Sequence, residues 1–241
     1  MRRRDWMVAS LVCLLVAGTV FYRHGRSIWH PVYRLISGRR GVEDVVRSEG
    51  PGAESRLRPY FERGGVSWPP VRVTLLVFKE ERSLELWSER AGRWVLVRTY
   101  PVRAASGHAG PKLREGDGQV PEGVYRVVGL NPRSAYHLSL KLDYPNDFDR
   151  RKAAEDGRSE LGGDIFVHGK AVSIGCIAVG DEAVEELFLL TTTVGCRNVR
   201  VIIAPNDVRG GRPVRGHASN PAWVGELYER IRAELAPFAG G

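Results

Sequence analysis

The chain is poor in cysteine. Cys13, Cys176 and Cys196 are its three thiols, too few for the disulfide framework of a small stapled scaffold. It has no Cys-x-x-Cys pair, so the compact ligand spacing of a structural zinc site is missing. It also lacks internal repeats and low-complexity tracts, and it contains no nucleic-acid-binding motif. The formal net charge of +8 favours anionic surfaces, but the arginines are scattered, so the charge reads as solubility and surface attraction. What remains is ordinary: 43% hydrophobic and 27% charged residues in 241 positions. That suffices for one good-sized domain with extensions.

One long apolar run is present. Met1 to Arg4 is a basic cap, Trp6 to Tyr22 is almost uncharged, and Arg23-His24-Gly25-Arg26 closes it. Residues 1–26 therefore read as a single transmembrane signal anchor or a cleavable signal peptide, with the anchor favoured and the domain outside. Cys13 lacks a lipobox, since Ser10 stands where leucine is wanted. Residues 27–70 read as a membrane-proximal connecting region. Weak helical periodicity over Val42 to Val46 and Leu57 to Phe61 is broken by Gly50-Pro51-Gly52 and Gly64-Gly65.

Strand patterning begins at Val71. Val71, Val73, Leu75 and Val77 alternate with Arg72 and Thr74. Leu84 and Leu86 start a second strand, and Trp94, Leu96 and Arg98 belong to a third, with Ala91-Gly92 as the hairpin turn. Val124 to Val128 and Tyr136 to Leu142 are further strands. In the latter, Leu138, Leu140 and Leu142 face one side. His137, Ser139 and Lys141 face the other, bordering either a cleft or solvent. Asp147 to Gly163, rich in charge and glycine, reads as a mobile loop over the site. Asp181 reads as the N-cap of a helix with Val184, Leu187 and Phe188 buried. Val199 to Ile203 is another strand. Asn220-Pro221 caps a last helix whose Val224, Leu227, Tyr228, Ile231 and Leu235 share one face. The fold class expected is mainly β with a few peripheral helices. Residues 71–205 form the central domain, and 206–241 a C-terminal loop and helix docked on it.

The chemistry concentrates in Asp164 to Asp181. A short apolar strand delivers His168, and Ser173-Ile174-Gly175-Cys176 places a thiol eight positions later. An imidazole beside a thiol can take its proton and make the reactive thiolate. On residue types alone, a catalytic pair and a buried cysteine near a structural histidine stand side by side. Alternation puts Phe166 and His168 on one face, with Ile165 and Val167 on the buried face. Backbone N–H groups around Gly175 and Cys176 could hold a developing oxyanion. Ser173 either donates a hydrogen bond there or caps the turn, and the Gly169 carbonyl can orient the imidazole through its second nitrogen. A metal site built from His137, His168 and Cys176 is disfavoured by its spacing, so no metal and no cofactor are expected. Cys196 reads as a small buried hydrophobe, and His108 and His217 as solvent-exposed.

This segment resembles the active-site stretch of the L,D-transpeptidase family (the YkuD-type catalytic domain), in which His-Gly is followed by Ser-x-Gly-Cys. Here these are His168-Gly169 and Ser173 to Cys176. The likeness runs upstream through Gly116 to Tyr125, Asn131-Pro132, Tyr136 to Leu140 and Asp143 to Asn146, and covers roughly Val71 to Pro205. It matches the branch with a short His-to-Cys loop. Ile174 stands where many members have a second histidine, and Ala178 where many have Arg or Asn. The base role therefore falls on His168, and a basic anchor for a substrate carboxylate is missing.

The resemblance implies the β-rich L,D-transpeptidase catalytic fold. It implies Cys176 as nucleophile, His168 as base, and Tyr136 and His137 near the acyl-donor groove. It also implies peptidoglycan stem peptides as substrate and acylation of Cys176 by carbapenem-like β-lactams. The expected setting is the periplasm or cell envelope, inner-membrane anchored or secreted, as a monomer without nucleic acid. Hydrolysis of the same thioester is the competing outcome, and a non-catalytic envelope-binding module is the alternative of a different class.

Overall fold

The computed structural model describes residues 40–239. The apolar N-terminal run, with its anchor or signal-peptide reading, lies outside them. Among the described residues no helix is long and apolar enough to cross a membrane.

Nine strands form one sheet in the order β3-β2-β1-β9-β5-β6-β7-β8-β4. They are β1 Val73–Phe78, β2 Ser83–Arg90, β3 Arg93–Pro101, β4 Ala104–Ala105, β5 Gly123–Ser134, β6 His137–Leu142, β7 Phe166–His168, β8 Ile177–Ala178 and β9 Val199–Ala204. The helices are α1 Val42–Ser48, α2 Gly50–Arg63, α3 Asp147–Glu155, α4 Asp181–Val194 and α5 Val224–Leu235.

The sheet has two halves joined by β5. Its first residues, Gly123 to Arg126, pair with β9. From Val127 onward it pairs with β6, with irregularities between Val127 and Gly129 and between Asn131 and Ser134. β5 is thus longer than the Val124 to Val128 strand expected, and it runs through Asn131-Pro132. The β2–β3 hairpin turns at Ala91 and Gly92 with φ of 49° and 79°, the doubly positive turn that suits a right-twisted hairpin.

β1 departs from one-sided alternation, since all six of its residues are buried. Leu75 and Val77 face the main core with Leu86 and Val201, while Leu76 and Phe78 face a second core with Ile202 and α5. A strand beside a parallel partner, covered on both faces, is apolar at every position. The stripe Val224, Leu227, Tyr228, Ile231 and Leu235 is buried in that second core.

Three expectations are corrected. Gly50-Pro51-Gly52 begins α2, because a proline in the first turn gives up an N–H that has no helical partner. Leu57 and Phe61 of that helix are fully buried in the main core, and Arg56 pairs with Glu185 and Glu186 of α4. Residues 50–63 of the connecting region, expected to pack partly on the domain, bury this helix face in the main core. Asp147 to Gly163 opens as a helix rather than a loop. The Asn146 side chain accepts from the Phe148 and Asp149 amides, and Asp149 returns a bond to the Asn146 N–H, a reciprocal cap that starts a helix despite its charge. At α4 the N-cap is Gly180. Asp181 is the first helical residue, and its carboxylate instead accepts from the amide and the ammonium of Lys170.

Candidate active site

β7 is a strand of three residues set between two partners. Ser139 of β6 lies opposite His168, and Lys141 opposite Phe166. On the other side β8 runs parallel, with Val167 beside Ile177 and His168 beside Ala178. Residues in register share a face of the sheet. Val167, Ile177 and Leu140 therefore point into the core, where all three are fully buried. His168, Ser139 and Ala178 point to the opposite face. Cys176 lies in the bend that leads directly into β8.

The imidazole is held from two directions. His168 is 2% exposed, and its Nδ1 lies 2.6 Å from the Gly169 carbonyl oxygen. A carbonyl can only accept, so Nδ1 carries the proton and Nε2 is the basic nitrogen. The Tyr136 ring lies against it at 4.5 Å between centroids, tilted by 30°. Burial lowers the pKa of His168 below its ordinary 6.5, and the bond to Gly169 opposes this in part. Gly169 itself has no room for a side chain. A Cβ there would meet the Asp181 carboxylate at 2.6 Å and the Tyr136 carbonyl at 2.7 Å.

The thiol sits at the end of a turn pinned by two serines. Ser173 Oγ donates to the Cys176 carbonyl at 2.6 Å, and the Cys176 N–H donates back to it at 3.1 Å. Gly175 adopts φ of 95°, which suits a residue without a Cβ, and its N–H donates to Ser106 Oγ at 2.6 Å. Ser106 in turn donates to the Gly118 carbonyl at 2.7 Å. Cys176 is half-buried, with Sγ 3.7 Å from the Asp164 carbonyl. Ser173 therefore caps the turn. The Gly175 and Cys176 amides, expected to face an oxyanion, already have hydroxyl acceptors, and an oxyanion would have to displace them.

The His137 side chain reaches α4. Its φ of 73° breaks the strand alternation, and its Nε2 lies 2.8 Å from Glu185 on α4. Glu185 also holds Arg56 at 2.7 Å. The polar face expected of His137, Ser139 and Lys141 keeps only the last two beside β7. Cys176 and Cys196 are in no disulfide. Cys196 is only partly buried, packed at the edge of the main core, where burial pushes its thiol pKa up. His108 and His217 are exposed and stack on each other at 4.0 Å.

Sequence reasoning missed Ser106 and Glu185. The bond from Gly175 to Ser106 spans 69 residues and that from His137 to Glu185 spans 48. A single polar residue has no periodic signature that would have revealed either.

Three comparisons bear on this geometry. Over 153 residues the chain is 36% identical to "Putative L,D-transpeptidase YafK" of Escherichia coli strain K12, covering 61% of this chain and 60% of that protein. The chain thus spans about three fifths of the length of that relative. Among solved structures it is similar to the helical cell shape determining protein Pgp2 of Campylobacter jejuni. The TM-score is 0.47 at 21% identity, over 66% of this chain and 57% of that one. Bd1075 of Bdellovibrio bacteriovorus follows with a TM-score of 0.42 at 20% identity, over 71% and 57% respectively. The family model of the L,D-transpeptidase catalytic domain, YkuD, matches residues 72–203. That span takes in β7, the serine-pinned turn and β8, and the chain belongs to the L,D-transpeptidase catalytic domain family.

Proposed function

We propose that residues 71–205 form a cysteine-dependent L,D-transpeptidase acting on peptidoglycan stem peptides. What supports this reading is that β7 delivers His168 and the serine-pinned turn delivers Cys176 into β8, the strand paired with β7, with the Nδ1 proton of His168 committed to Gly169. Nε2 then takes the Cys176 proton as sulfur attacks the carbonyl carbon of the donor peptide bond. The C–N bond breaks, the same nitrogen returns the proton to the leaving amine, and a thioester remains. An acceptor amine attacks that thioester, gives up a proton to Nε2 and restores the thiol. Tyr136, against the imidazole, keeps its ring in plane for both transfers and contributes to the donor groove. The place of action is the periplasmic side of the inner membrane.

Hydrolysis is the second reading, and a specific observation favours it. The loop between the two catalytic residues is open to solvent, with Val172 56% and Ile174 76% exposed. Ala178, where a cationic substrate anchor is expected, is fully buried. Water could reach a thioester in such a site, releasing a shortened stem or a linked protein.

Incubating the purified protein with defined muropeptides and weighing the products by mass spectrometry tests both readings. Cross-linked dimers establish transfer, and shortened species alone establish hydrolysis. If neither forms, or if Cys176→Ala makes the same products, the cysteine mechanism is wrong.

A further inference from the structure

A second concave surface lies away from this site. A groove of about 740 Å³ opens on the α5 side of β1, β9 and β5, and neither Cys176, His168 nor Tyr136 lines it. Its floor carries an unusual pairing. Arg126 of β5 sits directly opposite Arg200 of β9, and Arg200 lies beside Thr74 of β1. Residues in register share a face, so two guanidinium groups project side by side from neighbouring strands. Like charges directly opposite one another weaken a sheet. Glu234 of α5 pairs with Arg200. Among the described residues, Arg126, Arg151, Arg197 and Arg230 have no carboxylate at ion-pair distance.

The wall is preorganised. The Phe148 ring of α3 takes the Arg230 guanidinium at 5.2 Å from its centroid and that of Arg151 at 5.8 Å. An aromatic face holds a guanidinium while leaving its N–H fork free to bind. In all, six arginines and three carboxylates, Asp143, Asp147 and Glu234, line the groove. Exposed guanidinium groups gathered in one concavity raise its local positive potential and favour an anion there.

We propose that this groove binds a phosphate-bearing anion. Guanidinium forks match phosphate oxygens in pairs of charge-assisted hydrogen bonds, and several forks around one hollow suit a diphosphate or a phosphodiester headgroup. The hollow accommodates one such ligand. A soluble diphosphate and an anionic phospholipid share this chemistry.

The test titrates the full chain with inorganic pyrophosphate by calorimetry, and sediments it with phosphatidylglycerol or phosphatidylcholine vesicles. An R126Q/R230Q variant is compared with R47Q/R133Q, which removes the same charge outside the groove. Saturable pyrophosphate binding is expected, weakened about tenfold per lost arginine in the first variant and unchanged in the second. Phosphatidylglycerol binding that falls in the first variant alone assigns the site to a headgroup. Vesicle binding equal in both variants, with pyrophosphate binding still groove-dependent, assigns it to a soluble ligand. An absence of saturable binding, or equal loss in both variants, overturns the proposal.

Discussion

In the half of the sheet made by β3, β2, β1 and β9, the strands run six to nine residues, and β1 is buried on both faces. In the half that carries His168 and Cys176, β7 has three residues and β8 and β4 have two each. The first half is held by long ladders and by two apolar cores. The second shares the main core through Leu140, Val167 and Ile177, and its turns are held in addition by side chains reaching the backbone: Ser106 on Gly175, Ser173 on Cys176, Asp181 on Lys170. Burial gives stability without regard to direction, whereas hydrogen bonds fix angle and distance. Functional chemistry needs the latter, and the short-strand half adds it to the former.

The largest effect that sharpens this contrast is at the thiol. Cys176→Ala should lower product formation about 10³-fold or more, since a lost nucleophile is not replaced. Its unfolding free energy should change by less than about 1 kcal/mol, because a half-exposed sulfur contributes little packing. Muropeptide turnover and urea denaturation, measured side by side, check both halves of the statement.

Leu75→Ala reverses the pattern. Leu75 is fully buried between Leu86 and Val201, so its truncation should cost about 2–5 kcal/mol of stability. Turnover per folded molecule should stay near wild type at temperatures well below the new midpoint. A stable Leu75→Ala protein that has lost its turnover would mean that the two halves are mechanically coupled.

These halves also differ in how far the sequence exposes them. Leu84 and Leu86, or Val224, Leu227 and Ile231, repeat at the period of their element, and such periods are legible without a fold. α3 was not, because Asp147–Glu155 buries only one face of a charge-dense stretch. Its signal is the Asn146 to Asp149 reciprocal cap, a four-residue pattern easily read as loop. At the site, His168, Gly169, Ser173, Gly175 and Cys176 are close in sequence and carry a recognisable order. Ser106 is brought in by β4 pairing with β8, a long-range event no local pattern encodes. His137 was placed with Ser139 and Lys141 by strand alternation, and its positive φ and its contact with Glu185 are not visible in that pattern.

Ser106 gives the intermediate effect. Ser106→Ala removes the acceptor of the buried Gly175 N–H, at a cost of about 1–3 kcal/mol for the unsatisfied group. It should also lower turnover about tenfold, because the turn that aims the thiol is less constrained. The drop should fall on kcat more than on KM, since Ser106 acts on the nucleophile's position. Unchanged kcat with an equal loss of stability would make Ser106 purely structural.

The smallest effect, and the one that discriminates most finely, is the pH dependence of His168. Burial holds its folded-state pKa below the ordinary 6.5. Above pH 6.5 the imidazole is neutral in folded and unfolded chains alike, and this stability contribution is fully present. As pH falls below that value the unfolded chain binds the proton first, so stability is lost down through the folded pKa. His168→Gln should remove this share of the acid-side loss, visible as a flatter urea midpoint between pH 7 and 5. The acid limb of kcat/KM should also lie below 6.5 in the wild type, because the free enzyme needs a neutral Nε2 to accept the thiol proton. A limb above 6.5 would mean that the resting site is a thiolate–imidazolium pair, with the neighbouring negative charge outweighing burial. The short-strand half would then be organised around charge as well as hydrogen-bond direction.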